Sequence, residues 1–549
     1  MGVDDGVRAG LPALDAGRWE EARAAFEAAL AEQETPEALD GLGHALAALG
    51  DYAAAIDLRQ RAFAAFRARG ETRYPAMIAA YWLAFEYAAL YGNSAAAAGW
   101  LERGRHLAEA SGDCRERGWV ELACALAADR LDVREQHVQA AAAVAHRFGD
   151  TDLEFDTLAY AGVCRIERGR VQEGMRMLDE AVAAATSGEL ASAAVAGEIY
   201  CKMLLACEMT LDVRRAEQWT AVADSFVARS KVVWASAICR MYYGGILIAA
   251  GRWAEAEQEL TTSIRLYDAS YRALRSGSLA RLADLRVRQG DLEATVRLLA
   301  GFEHDSYRVR PLARLHMARG DADQAGAVLR RHLNEQQASV LDIPILALLT
   351  EAELAAGRRD HACQTSARLA AAAGPTGAPA LRAFAALAAA AVAETTTGAA
   401  GEAAAVELES ALAGFIAAGL PLEEARTRLE LAGVLARSTP AVAAAGAQTA
   451  LAIFERLGAW AQADAAGAVL RTLGGRRRAG PRSAGALSRR EQEVLRLVGL
   501  GLSNPEIAER LFISRKTAAH HVSNVLTKLG LRNRAQAAVH AAQVMESDT

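Results

Sequence analysis

Two short stretches near the N-terminus decide the fold: Gly17-Arg18-Trp19-Glu20-Glu21-Ala22 and Gly50-Asp51-Tyr52-Ala53-Ala54-Ala55. Each reads as a helix ending in Gly-Arg or Gly-Asp, then an apolar residue, then an acidic or alanine-rich helix. Glycine ends a helix in the left-handed conformation that other residues resist. Asp after it caps the next helix. Small residues such as Ala55 and Ala256 let two helices approach closely. Weaker copies start at Gly92, Gly169, Gly251, Gly290, Gly320 and Gly357, at steps of 33, 42, 77, 82, 39, 30 and 37 residues. The two long steps are about double the rest, so each is expected to hide a degenerate copy, near Asp129 and near Asp212. Within the copy after Gly251, Trp253, Ala256, Leu260 and Ile264 share one helical side. One helical pair cannot bury its apolar face alone. Roughly ten copies therefore stack into a superhelix in which each touches only its neighbours.

The rest of the chain agrees with helix almost everywhere. Of 549 residues, 130 are alanine, 11 are proline and 52% are apolar. Alanine is the best helix former and proline the worst. This argues against an all-β fold, and the apolar content argues against a disordered chain. The alanine-rich run around Ala383 to Ala393 falls short of the roughly 20 residues a membrane-spanning helix needs. Met1-Gly2-Val3-Asp4-Asp5 shows no basic region before an apolar core, the mark of a secretory signal. No membrane contact and a cytoplasmic location are expected. The seven cysteines (114, 124, 164, 201, 207, 239 and 363) are odd in number and lack C-x-x-C spacing, so they read as buried thiols acting as small apolar groups. The only evident break in the repeats is Gly374-Pro375-Thr376-Gly377-Ala378-Pro379.

Charge divides the chain. Residues 475–549 hold 13 Lys+Arg against 6 Asp+Glu, a net of +7; the total of −6 then leaves −13 for residues 1–474. A basic tail on an acidic body points the tail at a polyanion. Between them, Gly474-Gly475-Arg476-Arg477-Arg478-Ala479-Gly480-Pro481-Arg482-Ser483-Ala484-Gly485 has no apolar period and reads as a flexible linker, 474–486.

The tail, 487–549, divides into four short helices. Ser488-Arg489-Arg490-Glu491 has capping-box spacing and opens the first, whose buried side is Val494, Leu495 and Val498; Gly501 ends it. Asn504 is read as the cap of the second, with Pro505 at its first position. Ile507 and Leu511 point inward, and small Ala508 permits a tight contact with the next helix. After Phe512-Ile513, Ser514 caps the third helix, which buries Ala518, Val522, Val525, Leu526 and Leu529 and closes at Leu529-Gly530. Its opposite side is Arg515, Lys516, Ala519, His520, Ser523 and Thr527. Asn533 caps a last helix through about Val544.

The repeated pairs, 1–473, resemble the tetratricopeptide repeat, with a good match at 10–70, 155–185 and 240–300. The segment 400–473 looks like the last repeats of MalT-like regulators. The tail resembles the LuxR/GerE-type helix-turn-helix: Leu487-Ser488-Arg489-Arg490-Glu491 with Glu493-Val494-Leu495, then Gly501-Leu502-Ser503-Asn504-Pro505-Glu506-Ile507-Ala508, then Ile513-Ser514, Lys516-Thr517, His521-Val522 and Lys528-Leu529-Gly530. Members often carry Val-Lys after the Thr of the third helix; here it is Ala518-Ala519, so one long basic side chain is absent. The fold class is therefore all-α, a tetratricopeptide-like solenoid followed by a small four-helix DNA-reading domain.

The resemblance implies a transcriptional regulator that binds double-stranded DNA. Ser503, Asn504, Lys516, Thr517 and Lys528 are the candidate phosphate contacts; the first two sit at a helix N-terminus, where N–H groups face an anion. Ala519, His520 and Ser523 would lie closest to base edges, beside Arg515. The resemblance also implies a homodimer on a two-fold site, paired through the last helix near Ala537, Ala538 and Ala541. No G-x-x-x-x-G-K-[ST] phosphate loop is present, and the eight body histidines show no H-x-x-x-H or H-E-x-x-H spacing. No catalytic group, cofactor or metal site is predicted. An effector, small molecule or protein, is expected to act on the repeat array, changing its pitch and moving the tail through the linker. The alternative reading is an interaction scaffold that binds DNA incidentally. The aromatic cluster Tyr81, Trp82, Phe85, Tyr87 and Tyr91 reads as solenoid core.

Overall fold

The computed structural model describes residues 3–230, 233–302, 305–335, 339–394, 400–473, 487, 489–511, 513, 515–531 and 533–547. Among them are thirty α-helices and no strand. None of the described helices is long and apolar enough to cross a membrane. From Val3 to Thr472 the helices pack each on the next, as pairs joined by short turns.

The turns form for the local reasons the repeat suggests. All eight glycines that open the copies have positive φ, from 64° at Gly92 to 96° at Gly50. Asp51 and Asp291 accept hydrogen bonds from the backbone N–H of Ala54 (3.2 Å) and Ala294 (2.9 Å), capping the following helices. Where Arg replaces Asp, the cap is lost and an ion pair stands in its place, as between Arg18 and Glu21 (2.7 Å). Trp19, Tyr52 and Trp253, the apolar residues after each turn, are buried.

The two hidden copies are both present where they were expected. In the first gap the helices Glu116–Ala127 and Leu131–Phe148 pair across the turn 128–130, at Asp129. Gly149-Asp150 connects this pair to the next, with Gly149 at φ 63° and Asp150 accepting from Leu153 N–H at 3.2 Å. In the second gap Asp212 does cap a helix, accepting from Arg215 N–H at 3.1 Å. There Leu211, at φ 55°, takes the left-handed position that glycine takes elsewhere. Gly374–Pro379 is no boundary, because Ala373, Ala378 and Leu381 belong to one continuous core.

The expectation that each pair touches only its neighbours is wrong. The array coils tightly enough for successive turns of the superhelix to pack on each other. Tyr52 and Phe85 meet Tyr271, with ring centroids 4.6 and 5.1 Å away, in a cluster that joins Ala47 and Ala55 to Ala237 and Met241. Further on, Trp253 and Leu260 share a core with Leu422, Phe454 and Leu457. Charged groups line the same seams. Arg59 pairs with Glu86 in full burial. Lys202 Nζ reaches Asp156 at 2.6 Å, and Arg288 bridges Asp284 (3.0 Å) and Glu423 (3.3 Å). Burial raises the Asp284 carboxyl, but Arg314, Arg288 and Arg310 outweigh it and hold it well below the usual carboxylate range. Removing one member of such a pair strands a buried charge, at about 3–5 kcal/mol.

The aromatic cluster is divided between these duties. Tyr81 is buried and donates to Glu198 (3.1 Å), Trp82 lies under the Arg59 guanidinium, and Tyr91 is 55% exposed. The segment Ile78–Leu83 is a π-helical turn. The linker 474–486 and the Ser488 cap lie outside the described residues.

Candidate nucleic-acid interface

The tail helices are Arg489–Gly499, Asn504–Arg510, Arg515–Lys528 and Arg534–Ser547. Their core is Val494, Leu495, Val498, Ile507, Ala508, Leu511, Ala518, Val522 and Val525, as the apolar period requires, together with Leu497, Ala537 and Ala541. Leu526 and Leu529 pack against it partly buried. The last helix lies directly on the first: a Cβ added at Gly499 would sit 2.7 Å from Ala541 Cβ. Ala537 and Ala541 are therefore inside the domain and cannot form the pairing surface expected of them. On that helix Val539, 60% exposed, faces outward instead.

The second helix is capped by Ser503, not by Asn504. The Ser503 N–H and hydroxyl both donate to Glu506 Oε2, at 2.6 and 2.5 Å. These bonds favour the ionised carboxylate, so the Glu506 carboxyl is lowered. Asn504 Oδ1 accepts from Arg534 Nη1 at 2.8 Å, and Arg534 also donates to the Leu502 carbonyl. Both predicted phosphate contacts at this helix start are thus engaged within the domain. Arg490 likewise serves the fold, donating to the Leu511 carbonyl at 2.7 Å and pairing with Glu493. The sequence placed Arg490 in a capping box and in the LuxR-type motif and marked no role for Arg534. Nothing short of the fold places residue 534 beside residue 504.

On the third helix Ala518, Val522 and Val525 face the core, which turns Arg515, Ala519, His520 and Ser523 outward, all exposed. Four of the predicted contacts are thereby brought onto one exposed face. The side chains of Lys516, Thr527 and Lys528 lie outside the described residues. Thr517 is half-buried, its hydroxyl 3.4 Å from Asp464 Oδ2 on the last array helix, Trp460–Thr472. Beside it the rings of His521 and Trp460 meet edge to face at 6.2 Å. Trp460 and Asp464 were not anticipated, since their sequence context is only that of one more repeat.

Residues 485–541 match the family described as bacterial regulatory proteins, luxR family. The C-terminal domain is a luxR-family domain. Transcriptional regulatory protein LnrK of Bacillus subtilis (strain 168) is 51% identical to this chain over 55 residues, 10% of this chain and 25% of that protein. LiaR of the same strain is 48% identical over 56 residues, 10% and 26% of the two chains. The oxygen regulatory protein NreC of Staphylococcus aureus (strain JH9) is 46% identical over 55 residues, 10% and 25%. The chain thus spans about a quarter of these relatives' lengths. Among solved structures, the Cut9–Hcn1 hetero-tetramer of APC/C is matched over 84% of this chain and 96% of that one, at 13% identity and a TM-score of 0.36. Yeast Tom70 is matched over 85% and 96%, at 13% identity and a TM-score of 0.31.

Proposed function

We propose that this protein is a DNA-binding transcriptional regulator whose luxR-family domain reads the major groove with the helix Arg515–Lys528. One observation carries the reading: the side opposite that helix's buried seam, Arg515, Ala519, His520 and Ser523, is exposed and follows a capped helix and turn. A helix so held can enter a groove with its small and polar face leading. Ala519 suits a thymine methyl, and His520 and Ser523 suit polar base edges. Lys516, Thr517 and Lys528 are assigned to phosphates, which position a protein without specifying sequence. One such helix spans few base pairs, which favours a homodimer on half-sites about 10 bp apart or multiples of that. The array, 1–473, is assigned the sensing of a small-molecule or protein effector, and 474–486 the joint.

Asp464 adds a coupling element. A carboxylate at Thr517 occupies the side from which a phosphate would come, so array contact and DNA engagement oppose each other. The test is a footprint of the full protein on its own genomic DNA, followed by titration over a range of salt. Expected are discrete protected sites and an affinity that falls with salt by a log–log slope near −0.9 per phosphate contact. Salt-independent binding, or protection without preferred sites, would defeat the reading.

A further inference from the structure

Cys201 lies on the helix Ala193–Thr210 and Cys239 on the helix Val233–Ala249. Their sulfurs are 3.1 Å apart, closer than the 3.5–4.0 Å at which unbonded carbons typically rest. Both residues are buried, at 5% and 8% exposure. They differ in access. Cys239 lines a small cavity with half-buried Ser236, Arg240 and Tyr243. Cys201 points inward, its sulfur 3.6 Å from the Ala235 carbonyl.

We propose that Cys201 and Cys239 form a reversible oxidation site, closed to a disulfide by a peroxide. The peroxide reaches Cys239 through the cavity and oxidises its thiol to a sulfenic acid, releasing one water. The Cys201 sulfur, losing its proton, attacks the Cys239 sulfur. The S–O bond breaks, and hydroxide leaves with that proton as a second water. Two thiols have then lost two electrons and two protons, and the peroxide has become two waters. The bond requires the sulfurs to close from 3.1 Å to about 2.05 Å. Burial pushes the Cys201 thiol well up, so the closing step is slow, since the thiolate is the nucleophile. The product ties together the two helices that flank Val213–Ser230.

The experiment treats the full-length native protein with hydrogen peroxide, then unfolds it, alkylates the remaining thiols and maps the peptides by mass spectrometry. Two of the seven thiols are expected to disappear together, as a Cys201–Cys239 cross-linked peptide that dithiothreitol restores. Half-exposed Cys363 serves as the comparator, and Cys363→Ser must give the same cross-link. Cys201→Ser should stop the reaction at a sulfenic acid on Cys239, trapped by dimedone. Oxidation at Cys363 with both other thiols still free overturns the proposal. So does a cross-link that forms only after unfolding.

Discussion

Replacing Gly251 with alanine is expected to destabilise the array by about 2–4 kcal/mol, against about 1 kcal/mol for the same change at Gly290. Both glycines close a helix in the left-handed region, at φ 74° and 86°. An added Cβ there costs roughly 1–2 kcal/mol of backbone strain, of which about 0.4–1 kcal/mol is offset because alanine restricts the unfolded chain. At Gly290 that is all, since nothing lies within 4 Å of the new atom. At Gly251 the Cβ would come within 2.6 Å of both Leu457 Cδ2 and Pro421 Cγ, atoms of the next superhelical turn. The leucine methyl can rotate aside, but the proline ring cannot. Overpacking of this kind typically adds about 1–3 kcal/mol. The assay is urea unfolding of the two full-length variants and the parent, followed by circular dichroism under one set of conditions. The excess loss at Gly251 measures the turn-to-turn contact. Equal losses at the two positions would mean that the turns do not pack as described, and the closed coil would have to be abandoned.

Further expectations concern the tail and one buried acid. His520→Ala should cost about 1–3 kcal/mol on the preferred duplex and little on a scrambled one, at one fixed salt; equal losses on both would remove His520 from base reading. Gly499→Ala pushes a methyl against Ala541 and should loosen the luxR-family domain by about 1–3 kcal/mol, seen as faster amide exchange confined to the tail; unchanged exchange would contradict the packing of the last helix on the first. Burial, partly countered by Arg426 and reinforced by Glu351, Glu394 and Glu423, pushes the Glu430 carboxyl up from 4.5 to about 7. Between those two values the native state binds more protons than the unfolded chain, so stability falls as pH rises through the window. Glu430→Gln should accordingly gain about 1–3 kcal/mol at pH 8, discounted for partial exposure. That gain should vanish below pH 4.5, and a gain independent of pH would show that Glu430 is not the titrating group.

Much of the local structure was legible in the sequence because its causes act within one helical turn. Gly50 with Asp51, and Gly290 with Asp291, end one helix and cap the next through bonds that span three residues. The apolar period of the third tail helix likewise placed Ala518, Val522 and Val525 inside, and hence His520 and Ser523 outside. The same reasoning found the turn at Asp212 although Leu211 takes the left-handed position normally marked by glycine. It failed where another residue takes over a role: Ser503 with Glu506 performs the capping expected of Asn504.

What only the tertiary structure decided is which distant residues meet. Tyr52 against Tyr271, Gly251 against Pro421, Cys201 against Cys239, Arg534 against Asn504 and Asp464 against Thr517 carry no mark in their local sequence. The repeat dictates helical pairs that must stack, but the pitch of the stack is the sum of many small rotations between neighbouring pairs. Each rotation is set by how side chains interdigitate across a seam, not by any single residue. Whether the coil stays open or closes on itself, and which buried groups are thereby brought face to face, depends on that accumulated geometry.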